Sequence, residues 1–124
     1  MPNRFPMRGE IWFTEIPTDP PEKGRRSVVI VSTNVRNNHA RANTVLVIPL
    51  STSVHKSEVP THLTLEPGET GLSERMIARA EDVTVIRKES LRPSRERLRS
   101  LSNLQICRFS KMIAIAMNCA PEDV

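Results

Sequence analysis

Apolar and polar positions alternate along the first two-thirds of the chain in short blocks separated by turn formers. β-Branched and aromatic residues cluster in Glu10–Ile16, Ser27–Ser32 and Thr44–Leu50, which predicts three strands. The second and third are apolar on both faces, so each must be covered on both sides. In a chain of 124 residues that implies a closed or nearly closed barrel with an extra element packed on it. His62–Glu66, Met76–Ala80 and Val83–Ile86 read as three further short strands. From Leu101 to Met117 the period changes: Leu101, Leu104, Ile106, Phe109, Met112, Ile113, Ile115 and Met117 form a broad apolar face at helical spacing. That face fits either packing on the barrel or a contact shared with a second subunit. The expected class is mainly β with a C-terminal helix, in a single domain spanning residues 1–124.

Three segments read as exposed loops. Pro17–Arg26 holds three prolines and a glycine, which argue against regular structure; Ser51–Thr61 is irregular; Glu66–Gly71 reads as a turn. No window has the run of about 18 apolar residues that a membrane span needs, and no signal-like segment opens the chain, so a cytoplasmic protein is expected. Cys107 and Cys119 stand without a CxxC or Cys/His cluster; both thiols should be reduced, and no metal site is expected.

The formal net charge is +4, and it is unevenly placed. Residues 1–41 carry seven basic and four acidic side chains, and residues 87–99 carry six and two. Local surplus of this kind fits a polyanionic partner. Residues 87–99 could extend a nucleic-acid track or simply keep the protein soluble. Arg25-Arg26, just before a buried strand, suit either a phosphate clamp or a solvated loop pair. Ser51-Thr52-Ser53 present three hydroxyls that could hydrogen-bond a phosphate or cap a turn. Arg79 and Glu81, two apart in an extended segment, share a face and could pair with each other. His39, His55 and His62 are scattered and read as solvated rather than catalytic. The chain has no P-loop, GxGxxG or GxSxG motif, which leaves phosphate chemistry by arginine, hydroxyl and carboxylate.

Taken in order, Arg8-Gly9-Glu10-Ile11-Trp12, the run Gly24–Asn34, Pro49-Leu50-Ser51-Thr52-Ser53, Pro60-Thr61-His62-Leu63 and Gly71-Leu72 resemble the MazF/PemK family of toxins. The resemblance covers about residues 8 to 91. It implies an SH3-like β-barrel with a C-terminal helix, a homodimer, and a sequence-specific endoribonuclease that acts on single-stranded RNA and is neutralised by a cognate antitoxin. No cofactor is implied. Matched position by position, Arg26 and Ser51 correspond to the catalytic arginine and hydroxyl. Glu22 matches the acidic residue of the first loop, and Arg79 and Glu81 match an arginine and an acid used in catalysis and substrate binding by PemK-like members. Glu10 and Thr52 match positions implicated in RNA contact; Arg25 and Ser53 stand beside the catalytic positions as candidate RNA contacts. The chain departs from the family at Ser27, where the family has proline and where a looser turn is expected, and at Pro20-Pro21, where some members carry a histidine. The rival reading is a non-catalytic toxin resembling CcdB, which binds a protein target such as DNA gyrase.

Overall fold

The computed structural model describes residues 5–53, 55, 57–93 and 98–118. Six strands and three helices follow in the order β1 (Ile11–Glu15), β2 (Arg25–Ile30), α1 (Asn34–Asn37), β3 (Thr44–Thr52), β4 (His62–Leu65), α2 (Pro67–Thr70), β5 (Met76–Arg79), β6 (Thr84–Arg87) and α3 (Asn103–Met117). Every strand pairing is antiparallel. β3 is the spine. One of its edges pairs with β2, and its other edge is divided: Thr44–Val47 pair with β6, and Leu50–Thr52 pair with β5, which in turn pairs with β4. Pro49, which has no N–H to give a ladder, falls at this handover.

The sheet is not closed as a barrel. Its order is β1-β2-β3-β5-β4 with β6 on β3, so β1 and β4 lie at opposite ends. Among the described residues, the free edge of β1 meets the chain after β6 at one point, where Phe13 and Arg92 exchange two backbone hydrogen bonds of 2.8 and 2.7 Å. Pro93 follows immediately and cannot donate to a longer ladder.

Two cores explain why β2 and β3 are apolar on both faces. Val29, Ile48 and Leu50 join Leu63, Leu65, Met76 and Ala78 under Leu101, Ile106 and Phe109. Val28, Ile30, Val45 and Val47 point the other way and meet Ile16, Ile86 and Leu91, with Trp12 packed alongside. The helix therefore packs on the sheet, as one of the two sequence readings has it. Its first turn is fixed by a reciprocal capping box: Gln105 N–H donates to Ser102 Oγ at 3.2 Å, and Ser102 N–H donates to Gln105 Oε1 at 3.0 Å. Gln105 Nε2 also donates to Glu69 Oε1 at 2.9 Å, tying α3 to the short α2. Gly9 joins this helix to the sheet: its N–H donates to Ile30 O, and its carbonyl accepts from Leu101 N–H. With φ at +91° and the Leu101 carbonyl oxygen where a Cβ would stand, only glycine fits there.

Two loop boundaries differ from the sequence reading. Arg25 and Arg26 belong to β2, and Ser51 and Thr52 belong to β3, so the residues expected on loops are held by sheet pairing. The proline-rich segment contains one turn of 3-10 helix at Pro21–Lys23, with Pro21 at the start where a missing N–H costs nothing. Ser27 sits buried within β2 opposite Phe13, so it loosens no turn.

Candidate active site

Antiparallel register brings Arg26 to Ser51. Val28 stands opposite Pro49 in the β2–β3 ladder, and continuing the ladder by two residues sets Arg26 and Ser51 across from one another on the same face. The Arg26 guanidinium donates through Nη2 to Ser51 Oγ at 2.7 Å and to the Leu50 carbonyl at 3.4 Å. Nη1 donates to Asp19 Oδ2 at 3.0 Å, an ion pair whose side chains are 17% and 16% exposed. Arg26 is thus a held group and not a freely solvated loop arginine. Thr14, its partner across β1, is fully buried, so the guanidinium stem rises from a rigid floor.

The same face continues across β5 and β4. Ser51 stands opposite Ile77, and Ile77 opposite Thr64; the pair His62 and Arg79 lies two positions further on the same side. His62 is fixed at both ring nitrogens, with Nδ1 2.8 Å from Ser57 Oγ and Nε2 3.2 Å from Glu81 Oε1. A neutral ring bonded this way carries its proton on Nε2, facing the carboxylate, and accepts the Ser57 hydroxyl at Nδ1. Ser57 is itself anchored, its N–H donating to Thr64 Oγ1 and its Oγ accepting from Val59 N–H. The histidine that the sequence reading left as solvated therefore clamps the loop after β3 to the end of β5.

Arg79 and Glu81 do not pair. The strand ends at Arg79, and Ala80–Asp82 form a 3-10 turn with Ala80 buried, so the two side chains diverge. Arg79 Nε donates to Asp82 Oδ2 at 3.0 Å. A hydrogen bond from the Thr61 side chain, more than any other contact, holds the Glu81 carboxyl below the usual carboxylate range; burial opposes this, while its own backbone and His62 add to it. A carboxyl held low in the folded state contributes stability above its unfolded pKa, about 4.3, and that contribution is lost as pH falls through the lower folded value. Thermal unfolding of Glu81→Gln should therefore fall below the wild type at neutral pH, with the gap closing beneath about pH 4.

The sequence matches the family described as PemK-like, MazF-like toxin of type II toxin–antitoxin system over residues 7–116. The chain belongs to this family. Solved structures of similar fold include a mycobacterial endoribonuclease in complex with its cognate antitoxin, with TM-score 0.68 and 20% identity over 93% of this chain and 97% of that one. The Mycobacterium tuberculosis toxin MazF-mt6 gives 0.65 and 19% over 90% and 98%. A MazE–MazF crystal structure from Deinococcus radiodurans gives 0.66 and 15% over 95% and 100%. No curated relative matches in sequence.

In this MazF-like toxin the Arg26 guanidinium is held by Asp19, Leu50 and Ser51, and none of the other matched residues is among its partners. Glu22 is exposed on the 3-10 turn, and the carboxylate on Arg26 belongs to Asp19 instead. Arg25, across from Glu15, points to the opposite side of β2 and lines an open cleft of about 530 Å³ with Pro17, Asp19, Pro20 and Arg92. Thr52 is exposed across from Met76. Ser53 takes the turn-capping alternative: its Oγ donates to the His55 carbonyl at 2.6 Å, and its N–H donates to the Arg75 carbonyl. Glu10 Oε1 accepts from Met7 N–H at 2.7 Å and Trp12 Nε1 at 3.1 Å. Among the described residues no three His, Cys, Asp or Glu side chains converge as a metal-ligand set, and no helix is long and apolar enough to cross a membrane. Cys107 is a free thiol on α3; Cys119 and residues 94–97 of the basic segment lie outside the described residues.

Asp19 and His62 are the two site residues that sequence reasoning missed. His62 falls inside the Pro60–Leu63 motif block, which was a usable signal. Asp19 carries none, because a lone acid seven residues ahead of an arginine in a proline-rich loop has no periodic relation to it.

Proposed function

We propose that this toxin is a sequence-specific, metal-independent endoribonuclease that cleaves single-stranded RNA, mRNA in the cell, with residues 1–124 acting as one domain. The observation that carries the reading is the contact of the Arg26 guanidinium with Ser51 Oγ at 2.7 Å. RNA supplies its own nucleophile, the 2′-hydroxyl. The protein has to orient the phosphate, accept the 2′-proton, stabilise the added negative charge and protonate the departing 5′-oxygen. Arg26, a planar cation held in one orientation, suits the charge that develops on the phosphorane-like transition state, and the Ser51 hydroxyl adds a donor beside it. The products are a 2′,3′-cyclic phosphate and a 5′-hydroxyl. Glu22 and Glu81 are the proton-acceptor candidates; both carry the accepting carboxylate at neutral pH, and the contacts that hold Glu81 low make it the weaker base of its type.

Selectivity for unpaired RNA follows from the depth of the A-form groove, which hides base edges from side chains. With one Trp, three Phe and no Tyr, base reading rests on hydrogen bonds and arginine stacking. The toxin acts as a homodimer in the cytoplasm. Its cognate antitoxin is an acidic, partly disordered segment that folds across the basic face and blocks the RNA path. Ser51→Ala tests the site: the single-turnover cleavage rate should fall by about 10²–10³-fold, the range for one transition-state donor. Ser51→Thr, which keeps the hydroxyl, should retain activity. Equal rates for the alanine variant and the wild type would remove Ser51 from the chemistry.

A further inference from the structure

We infer that Asp19 is a positioning residue that sets the plane of the Arg26 guanidinium. Asp19 belongs to none of the motif blocks, and the resemblance read from the sequence implies Glu22 as the acid of this loop. Yet the carboxylate that reaches Arg26 is Asp19's, at 3.0 Å, with both side chains largely buried. The loop is built to deliver it. Asp19 N–H donates to the carbonyl of Ile16, a residue buried in the core beneath the sheet. On the other side Pro20 and Pro21 follow directly, and Lys23 N–H closes the 3-10 turn onto the Pro20 carbonyl. A residue before proline has little backbone freedom, and proline itself has a fixed φ. The carboxylate is thus presented from a stiff support at small entropic cost.

The contact pattern fits a holder. One carboxylate oxygen takes one proton of Nη1, while the two acceptors from β3 take Nη2. Anchors from two separate elements on two different nitrogens define the guanidinium plane. They leave Nε–H and the second Nη1–H outside these contacts, available to a phosphate oxygen. With Asp19 removed, Nη2 alone would hold the group, and the plane could swing. A displacement of about 1 Å in a catalytic group can cost 10²-fold in rate.

The kinetic part of this inference rests on the ribonuclease reading; the orientation part does not. The experiment compares wild type, Asp19→Ala and Asp19→Asn, each shown to be folded by thermal unfolding. In ¹⁵N-labelled protein the Arg26 side chain should give restricted, separately resolved guanidinium signals in the wild type and averaged ones in Asp19→Ala. Asp19→Asn, whose amide oxygen can still accept from Nη1, should stay close to wild type. With single-stranded RNA, Asp19→Ala should lower kcat by up to about 10²-fold with KM little changed, and Asp19→Asn should recover most of the loss. An alanine variant that cleaves as fast as wild type, or faster with tighter RNA binding, overturns the inference, since the carboxylate would then compete with phosphate for Arg26. Unchanged Arg26 mobility in Asp19→Ala overturns it as well. If the wild type cleaves no RNA, the ribonuclease reading fails, and the side-chain signals still decide the role of Asp19.

Discussion

Arg26→Ala should abolish RNA cleavage by this toxin while leaving it folded. The loss should exceed the roughly 10²–10³-fold of a single oxyanion donor, because the guanidinium supplies a full positive charge as well as several N–H groups. Arg26→Lys should recover little: the ammonium keeps the charge but cannot span Asp19, Ser51 and the Leu50 carbonyl from one plane. Removing the arginine leaves the Asp19 carboxylate largely buried without its cation. Its cost in stability should lie between the ~1 kcal/mol of an exposed ion pair and the ~3–5 kcal/mol of a buried one. A folded but inactive variant is therefore the expected outcome, checked by circular dichroism beside the cleavage assay. An alanine variant that cuts at more than about a tenth of the wild-type rate would show that the transition state is stabilised elsewhere.

The largest effect on stability should come from Phe109→Ala, at about 3–5 kcal/mol. Phe109 is 1% exposed and inserts from α3 among Val29, Ile48, Leu50, Leu65 and Ala78 of the sheet. Those neighbours are carried on paired strands and cannot collapse into the space left behind, so the cavity penalty adds to the lost transfer energy. Against a total stability of about 5–15 kcal/mol, a loss of this size removes a large fraction of the folding free energy. Urea unfolding should show a lowered midpoint with the slope retained. Leu104→Ala, on the same helix but 76% exposed, should shift stability by no more than about 0.5 kcal/mol. Equal effects at both positions would mean that α3 does not pack on the sheet through Phe109.

Much of this architecture was legible in the sequence because its signals were local. All six strands and the C-terminal helix lie within about two residues of where hydrophobic period and turn chemistry put them. The end of β3 was missed because Ser51-Thr52-Ser53 has no apolar contrast; pairing with β5, which no local pattern reveals, keeps Ser51 and Thr52 in the sheet. Double-sided apolar strands in a short chain suggest a barrel wall. They suit equally a sheet with a separate core on each face, and the strand order, with β1 and β4 at opposite ends, decides for the open form. At the site, Arg26 and Ser51 were reachable through the ordered motif blocks. The relation of Arg79 to Glu81 was not, since it turns on the strand ending between them. The link from His62 to Glu81 spans nineteen residues and exists only because β4 and β5 pair.

Metal-independent RNA cleavage is decided by incubating purified, antitoxin-free toxin with a long single-stranded RNA, with and without excess EDTA, and mapping both the cut positions and the chemistry of the ends. Cuts at discrete sequence positions, unaffected by EDTA and leaving a 5′-hydroxyl and a 2′,3′-cyclic phosphate, are the predicted result. Intact RNA after incubation with the folded protein across varied sequences, or cuts that need a metal and leave 5′-phosphates, would contradict it and point to a toxin that works through a protein target or a different chemistry.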